Sequence, residues 1–239
     1  MKIPTIEGII DRRILINFTV DPEIIQKIIP APFKPKVYKG KAIVGICLIR
    51  LKKIRPKGFP SLISISSENG AHRIAVEWEE NGEIKEGVFI PRRDTSSLLN
   101  SLAGGRVFPG RHFQAKFDVR EENNHFHVAF KSSDGTTISI DADKANTFTS
   151  NSIFQDIETA SKFFEGGAIG YSPSSSKYEG LRLKTYNWKV SPLNVTAVQS
   201  SFFEDENVFP KGSVKFDNAL LMEEIKHEWH SVSHEIHCL

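Results

Sequence analysis

Cysteine is almost missing from this chain of 239 residues, which holds only Cys47 and Cys238. Two thiols cannot build a disulfide framework or, by themselves, a closed zinc site. Cys47 lies inside an apolar run and reads as a small core residue. An excess of one charge is missing too. The 31 Lys and Arg against 29 Asp and Glu leave a formal charge of +2, which offers no general attraction to nucleic acid or an acidic membrane. The local exception, Arg50 to Lys57, reads as a solvated loop. No stretch approaches the ~18 to 20 apolar residues of a spanning helix. The first residues, Met1 to Gly8, lack the apolar run of a secretory signal. The expectation is a protein of the reducing cytoplasm, with no nucleic acid or membrane among its partners. There is no Gly-x-Ser-x-Gly elbow, no phosphate-binding P-loop and no dinucleotide fingerprint.

What is present is alternation. Hydrophobic content of 39% and charged content of 25% suit a soluble globular protein with a proper core. Ile14, Ile16, Phe18 and Val20 alternate with Leu15, Asn17 and Thr19, which predicts a strand. Asp21-Pro22-Glu23 then supplies an N-cap, a proline at the first helical position and a first-turn acid for a short helix ended by Pro30-Ala31-Pro32. Ala42 to Leu51 is apolar at nearly every residue, as in a strand covered on both faces. Ala71 to Glu79 alternates, Asn81-Gly82 is a hairpin turn, and Gly87 to Ile90 should return antiparallel.

Asp94 to Ser97 is positioned to cap a helix running through Leu98, Leu99 and Leu102. Phe113 to Arg120, His125 to Lys131 and Thr136 to Ala142 form a meander with turns at Asn123-Asn124 and Asp134-Gly135. A helix is predicted from about Ser152 to Glu165, ended by Gly166-Gly167. Leu181 to Val190 and Asn194 to Phe203 read as further strands. With no internal repeat and no linker, the expectation is a mainly β (α+β) single domain over residues 1–239. About ten strands would form an antiparallel sheet or barrel with two or three short helices.

Three places could carry chemistry. The loop from Ala103 to Phe117 is broken by Gly104, Gly105, Pro109 and Gly110, and carries Arg106, Arg111 and His112 at the mouth of a strand. Cations gathered there suit an anionic or carbonyl-bearing small molecule; an ordinary solvated loop is the plain alternative. His72-Arg73 beside Glu68 could be an acid/base pair with an anion clamp, or a polar pairing on a solvated sheet face. The tail histidines His227, His230, His234 and His237 divide between two strand faces, so no three converge and no metal is expected.

Several stretches, in order and spacing, resemble the DUF2071 family, relatives of acetoacetate decarboxylase. They include Asp21 to Pro32 with Tyr38 to Ala42, and Ile54 to Pro60. Further on come Phe163 to Pro173, Ser200 to Phe203, and Phe216 to Met222 with His227 to Trp229. The resemblance implies a cone-like antiparallel β-barrel around a small-molecule cavity with peripheral helices. It also implies a reactive lysine pair after an aromatic-proline dipeptide, one amine forming a Schiff base and its neighbour lowering that amine's pKa.

Here Phe108-Pro109 is followed by Gly110-Arg111; glycine has no amine and arginine does not deprotonate. Lys116 lies too far along the strand to replace it. Among the other positions the resemblance implies, a glutamate corresponds to Glu68, an arginine to Arg12 or Arg13, and a second glutamate falls near Gly45 and is missing. The expectation is a binder of a small carbonyl or carboxylate compound, without Schiff-base decarboxylation and without a cofactor, and with homo-oligomerisation open. Arg111, Arg12, Arg73 and Arg106 would be its cationic contacts and Glu68 its orienting carboxylate. The alternatives are lysine-independent acid/base catalysis, such as hydration or isomerisation, by Glu68 with His72 or His112, and a structural or assembly role.

Overall fold

The period-two segments become long strands, and their pairing decides the architecture. In the computed structural model, residues 4–60, 62, 64–97, 108–174 and 177–232 are described, with the backbone of 236–237. β1 (Ile6–Val20), β4 (Lys41–Pro56), β5 (Ile65–Glu80), β6 (Glu83–Thr95) and β13 (Lys215–Ser231) form a continuous antiparallel wall in the order β13-β1-β4-β5-β6. From β6 the sheet continues in two directions.

One route runs through β7 (His112–Glu122), β8 (His125–Ser132), β9 (Thr137–Lys144) and β12 (Ser191–Ser200) back to β13. The other runs through β10 (Ile169–Pro173) and β11 (Lys177–Thr185), also back to β13. Short strands pair at the margins: β2 (Lys34–Pro35) on β5, β3 (Val37–Tyr38) on β4 and β14 (Ile236–His237) on β11. Among the described residues the result is one 14-stranded sheet that rings round and closes on itself.

The shared wall therefore has protein on both faces, which is why the Ala42 to Leu51 run is apolar throughout. Ile14, Ile46, Leu48 and Ile74 face the first circuit and pack with Val128, Phe130 and Ile140. Leu15, Cys47, Leu51 and Ala75 face the second and pack with Phe154, Ala160 and Phe164. Each fully buried Ile or Leu contributes about 1.5–3 kcal/mol.

The sheet is mixed rather than purely antiparallel, because β6 pairs parallel with both β7 and β10. A parallel pair cannot be joined by a tight hairpin, and residues 96–111, of which 98–107 lie outside the described residues, separate β6 from β7 in the sequence. Asn81 and Gly82 both take positive φ (54° and 78°), as the two-residue hairpin between β5 and β6 demands.

α1 (Pro22–Gln26) starts as expected, with the Asp21 carboxylate accepting from Glu23 N at 2.9 Å. α2 (Ile157–Gly166) begins five residues later than its periodicity predicts. The reason is Asp217, which accepts from the Ser152 hydroxyl at 2.6 Å and from Ile153 N at 2.8 Å and so holds that segment outside the helix. Asp156 caps instead, accepting from Thr159 N at 2.8 Å. The expected caps Asp94 and Thr95 are strand residues of β6, and the predicted helix through Leu98 to Leu102 lies outside the described residues. Among the described residues, no helix is long and apolar enough to cross a membrane.

Candidate functional site

Side chains alternate along a strand, so Arg12 and Arg13 of β1 face different circuits. Arg12 is 1% exposed and lies between Glu68, at 2.5 Å, and Glu121. Arg50 closes the group, reaching Glu121 at 2.6 Å, Asp11 at 2.5 Å and Glu68 at 3.5 Å. Lys52 adds a second cation to Asp11 at 2.6 Å. Burial opposes ionisation of Glu121, but hydrogen bonds from Arg50 and Arg12 outweigh it and hold the carboxyl below its ordinary range. Every charge of this cluster has an opposite within it, although Arg12 Nε is buried without a partner.

Arg13 turns the other way, into a cavity of about 130 Å³ inside the second circuit. That is room for roughly ten waters, the scale of a small metabolite. Its floor is one row of paired residues across the wall: Leu15 opposite Cys47, Cys47 opposite Ala71, Ala71 opposite Arg93, and Arg93 opposite His112. Arg13 and Arg73 flank Cys47 on its two diagonals, since Arg13 pairs with Ile49 and Arg73 with Gly45. Phe163, Phe164 and Trp229 are among the apolar walls.

The three arginines of the cavity have no carboxylate partner among the described residues. Arg13 donates to Cys47 Sγ at 3.4 Å, and its Nε is buried without a partner. Arg73 is 4% exposed; it donates to Asn17 and stacks its guanidinium 4.9 Å from the Phe164 ring centre, again with Nε unpartnered. A Cβ at Gly45 would meet the Ile16 carbonyl oxygen at 2.2 Å and would also crowd Arg73 Nη2 at 3.3 Å. Arg93 donates to the Pro109 carbonyl at 3.0 Å and to Ser172 Oγ at 3.3 Å.

Burial lowers the Arg73 pKa and pushes that of Arg93 down to about 10. Both remain cationic at neutral pH. Burial, then the Arg93 charge, also lowers His112 to about 4, so its ring is neutral. His112 Nε2 donates to the Phe108 carbonyl at 3.0 Å, which leaves Nδ1 as a buried, unpartnered acceptor. Burial pushes the Cys47 thiol up, but the charges of Arg13 and Arg73 outweigh this and the net shift is downward.

The predicted site residues are thus divided between the circuits. Arg73 and His112 line the cavity, and of the neighbours Arg12 and Arg13 it is Arg13 that lines it with them. Arg12 and Glu68 belong to the closed charge cluster. His72 is fully buried against Phe202 and Phe203, with ring centres 4.3 and 5.7 Å away, and burial lowers its pKa to about 3. Adjacent His72 and Arg73 therefore cannot act together. Arg111 is exposed and outside the lining; Arg106 lies outside the described residues.

At the position where the resemblance implies an amine, Gly110 has φ +107° and a Cβ would meet Ser172 Cβ at 2.7 Å. Lys116 is exposed. The lysine among the described lining residues is Lys36, which pairs with Glu86 at 2.6 Å rather than with Glu68. Sequence reasoning missed Arg93 and Cys47. The Arg92-Arg93 doublet was visible, but which of the two faces inward depends on an irregularity in the β5–β6 register between His72 and Ile74. Cys47 carried no signal, since every neighbour in its run is apolar.

Residues 10–221 match the model of DUF2071, described as an uncharacterized conserved protein. Among curated proteins none matches this chain. Solved structures of like fold include the acetoacetate decarboxylase of Legionella pneumophila subsp. pneumophila, with a TM-score of 0.61 at 13% identity, covering 97% of this chain and 88% of that one. An acetoacetate decarboxylase-like enzyme from Sphingomonas wittichii RW1 gives a TM-score of 0.60 at 10% identity, covering 100% and 95%. The enduracididine biosynthesis enzyme MppR complexed with pyruvate gives 0.57 at 9% identity, covering 100% and 92%.

Proposed function

The chain belongs to the DUF2071 family, and we propose that this member binds a small carboxylate- or carbonyl-bearing molecule in the cavity of its second circuit. The observation that carries the reading is the trio Arg13, Arg73 and Arg93: one buried and two half-buried cations around one cavity, none with a carboxylate partner among the described residues, the lining acid Asp94 being paired with Arg92 instead. A buried, unmatched charge is costly, and an anion entering the cavity would relieve the cost for all three. A guanidinium presents a planar fork of donors that fits a carboxylate, and the apolar walls suit a short carbon skeleton. MppR, which shares the fold, is complexed with pyruvate, a molecule of this class.

Schiff-base decarboxylation is not part of the proposal. Gly110 carries no amine, and Lys36 is engaged by Glu86. Acid/base catalysis, if it accompanies binding, would use His112 through its unpartnered Nδ1, because Glu68 and His72 face the other circuit. The test is a thermal-shift and calorimetric screen of small carboxylates against their amides. Saturating ligand at about a hundred times Kd stabilises by about 2.7 kcal/mol. Stabilisation by the acids alone, lost in Arg73→Met and Arg93→Met, is the expected result. Equal stabilisation by the amides would remove the reading.

A further inference from the structure

The most chemically loaded group in the cavity is one that the binding proposal leaves idle. Cys47 is the second residue of the floor row, with Arg13 Nη2 3.4 Å from its sulfur on one diagonal and Arg73 on the other. Arg73 is 96% buried by its 4% exposure, lines the same cavity and has a partnerless Nε. Cys47 packs in the apolar core of the second circuit, yet unlike a purely structural core cysteine it also meets two cations and lines the cavity. Next to it in the row stands Ala71, whose single methyl leaves the floor low between Cys47 and Arg93. Two strand spacings separate Cys47 from Arg93, roughly 10 Å between backbones, which side chains shorten to the span of a small molecule.

Resting on the carboxylate-binding reading, we propose that Cys47 is a nucleophile that captures the carbonyl carbon of a small 2-oxo carboxylate held by the surrounding arginines. The thiolate sulfur attacks the trigonal carbon and an S–C bond forms. The π pair of the carbonyl moves onto oxygen, and that oxygen takes up the proton the thiol gave up, yielding a tetrahedral thiohemiketal. No oxidant, reductant or leaving group is required, and the step reverses by the same route. The arginines serve twice: they favour the thiolate over the thiol, and their free N–H groups meet the carboxylate and the developing alkoxide. Downward movement of the Cys47 pKa, opposed by burial but driven by Arg13 and Arg73, accords with this geometry.

The test uses the full chain with Cys238→Ser, so that Cys47 is the remaining thiol. Alkylation by iodoacetate is compared with alkylation by neutral iodoacetamide, each displacing iodide with formation of one S–C bond. Cationic steering predicts faster reaction with iodoacetate, on the order of tenfold or more, the reverse of an ordinary exposed thiol. The preference should vanish in Arg73→Met, and pyruvate should slow the labelling. Pyruvate isotopically labelled at its carbonyl carbon should show a tetrahedral carbon signal with this protein and none with Cys47→Ser.

A rate for iodoacetate no greater than for iodoacetamide overturns the proposal, as does a pyruvate carbon that stays trigonal. If pyruvate still raises the melting temperature of Cys47→Ser while either of those negative results holds, only the nucleophile is lost and the binding site stands. If no small carboxylate shifts either protein, both fall.

Discussion

Arg12 and Arg13 follow one another in β1, yet one guanidinium lies between Glu68 and Glu121 while the other meets a thiol and no carboxylate. The same contrast extends across the wall. On the first-circuit side, Arg50, Asp11 and Lys52 complete a network in which every charge has an opposite. On the second-circuit side, Arg13, Arg73 and Arg93 surround a cavity and have no carboxylate partner among the described residues, because the lining acid Asp94 is held by Arg92. Matched charges in a folded interior hold the sheet together, whereas the unmatched ones on the other face of the same strands are the ground for the ligand recognition proposed above.

The largest effect should come from breaking the closed side. Arg12→Met leaves Glu68 and Glu121 to share Arg50, and the loss of one partner from a buried network costs about 3–5 kcal/mol. Urea unfolding should register this, with the carboxylate-induced thermal shift retained by whatever fraction remains folded. A second effect on that side concerns pH. Burial lowers His72 from 6.5 to about 3, so between those values the unfolded chain binds a proton that the folded chain refuses. Stability is full above pH ~6.5 and falls as pH drops through that window, by up to about 1.4 kcal/mol per pH unit for one group. His112 and His227, both lowered to about 4, act in the same direction. His72→Phe should flatten the slope of unfolding free energy against pH by up to one proton; an unchanged slope would show that His72 is protonated in the folded state.

The open side should respond with the opposite sign. Arg73→Met removes an unmatched buried cation, so stability should hold or rise by about 1 kcal/mol, while the thermal shift with small carboxylates disappears. A fall comparable to that of Arg12→Met would erase the distinction between the two faces. The smallest effect belongs to Arg111→Ala. That side chain is exposed and away from the cavity, so stability should move by less than about 0.5 kcal/mol and the ligand shift should persist.

Much of the scaffold was legible in advance. Alternation marked the wall strands, the Asn81-Gly82 turn and the Asp21-Pro22 cap, all of which are local features with local physical causes. The doubly apolar Ala42 to Leu51 run already required cover on both faces, although not that the cover would be two separate circuits. The start of α2 was misjudged because Asp217, distant in sequence, takes the hydrogen bonds of Ser152 and Ile153. At the site, Arg73 and His112 were chosen for their chemistry and do line the cavity, whereas Arg111 was chosen from a glycine-rich loop whose backbone, not its arginine, approaches Ser172.

The sequence alone determined that the chain is mainly β, that its strands alternate, and that the amine of the implied Schiff-base chemistry is missing from Gly110-Arg111. Only the tertiary structure decided which arginines are neutralised and which are left open. Strand parity separates neighbours onto opposite faces, but which face holds carboxylates depends on strands far apart in the chain. Glu121 reaches Arg12 from β7, and the pairing of β4 with β1 and β5 sets Cys47 between Arg13 and Arg73. Charge balance in an interior is a property of register, and register is settled only when the sheet closes.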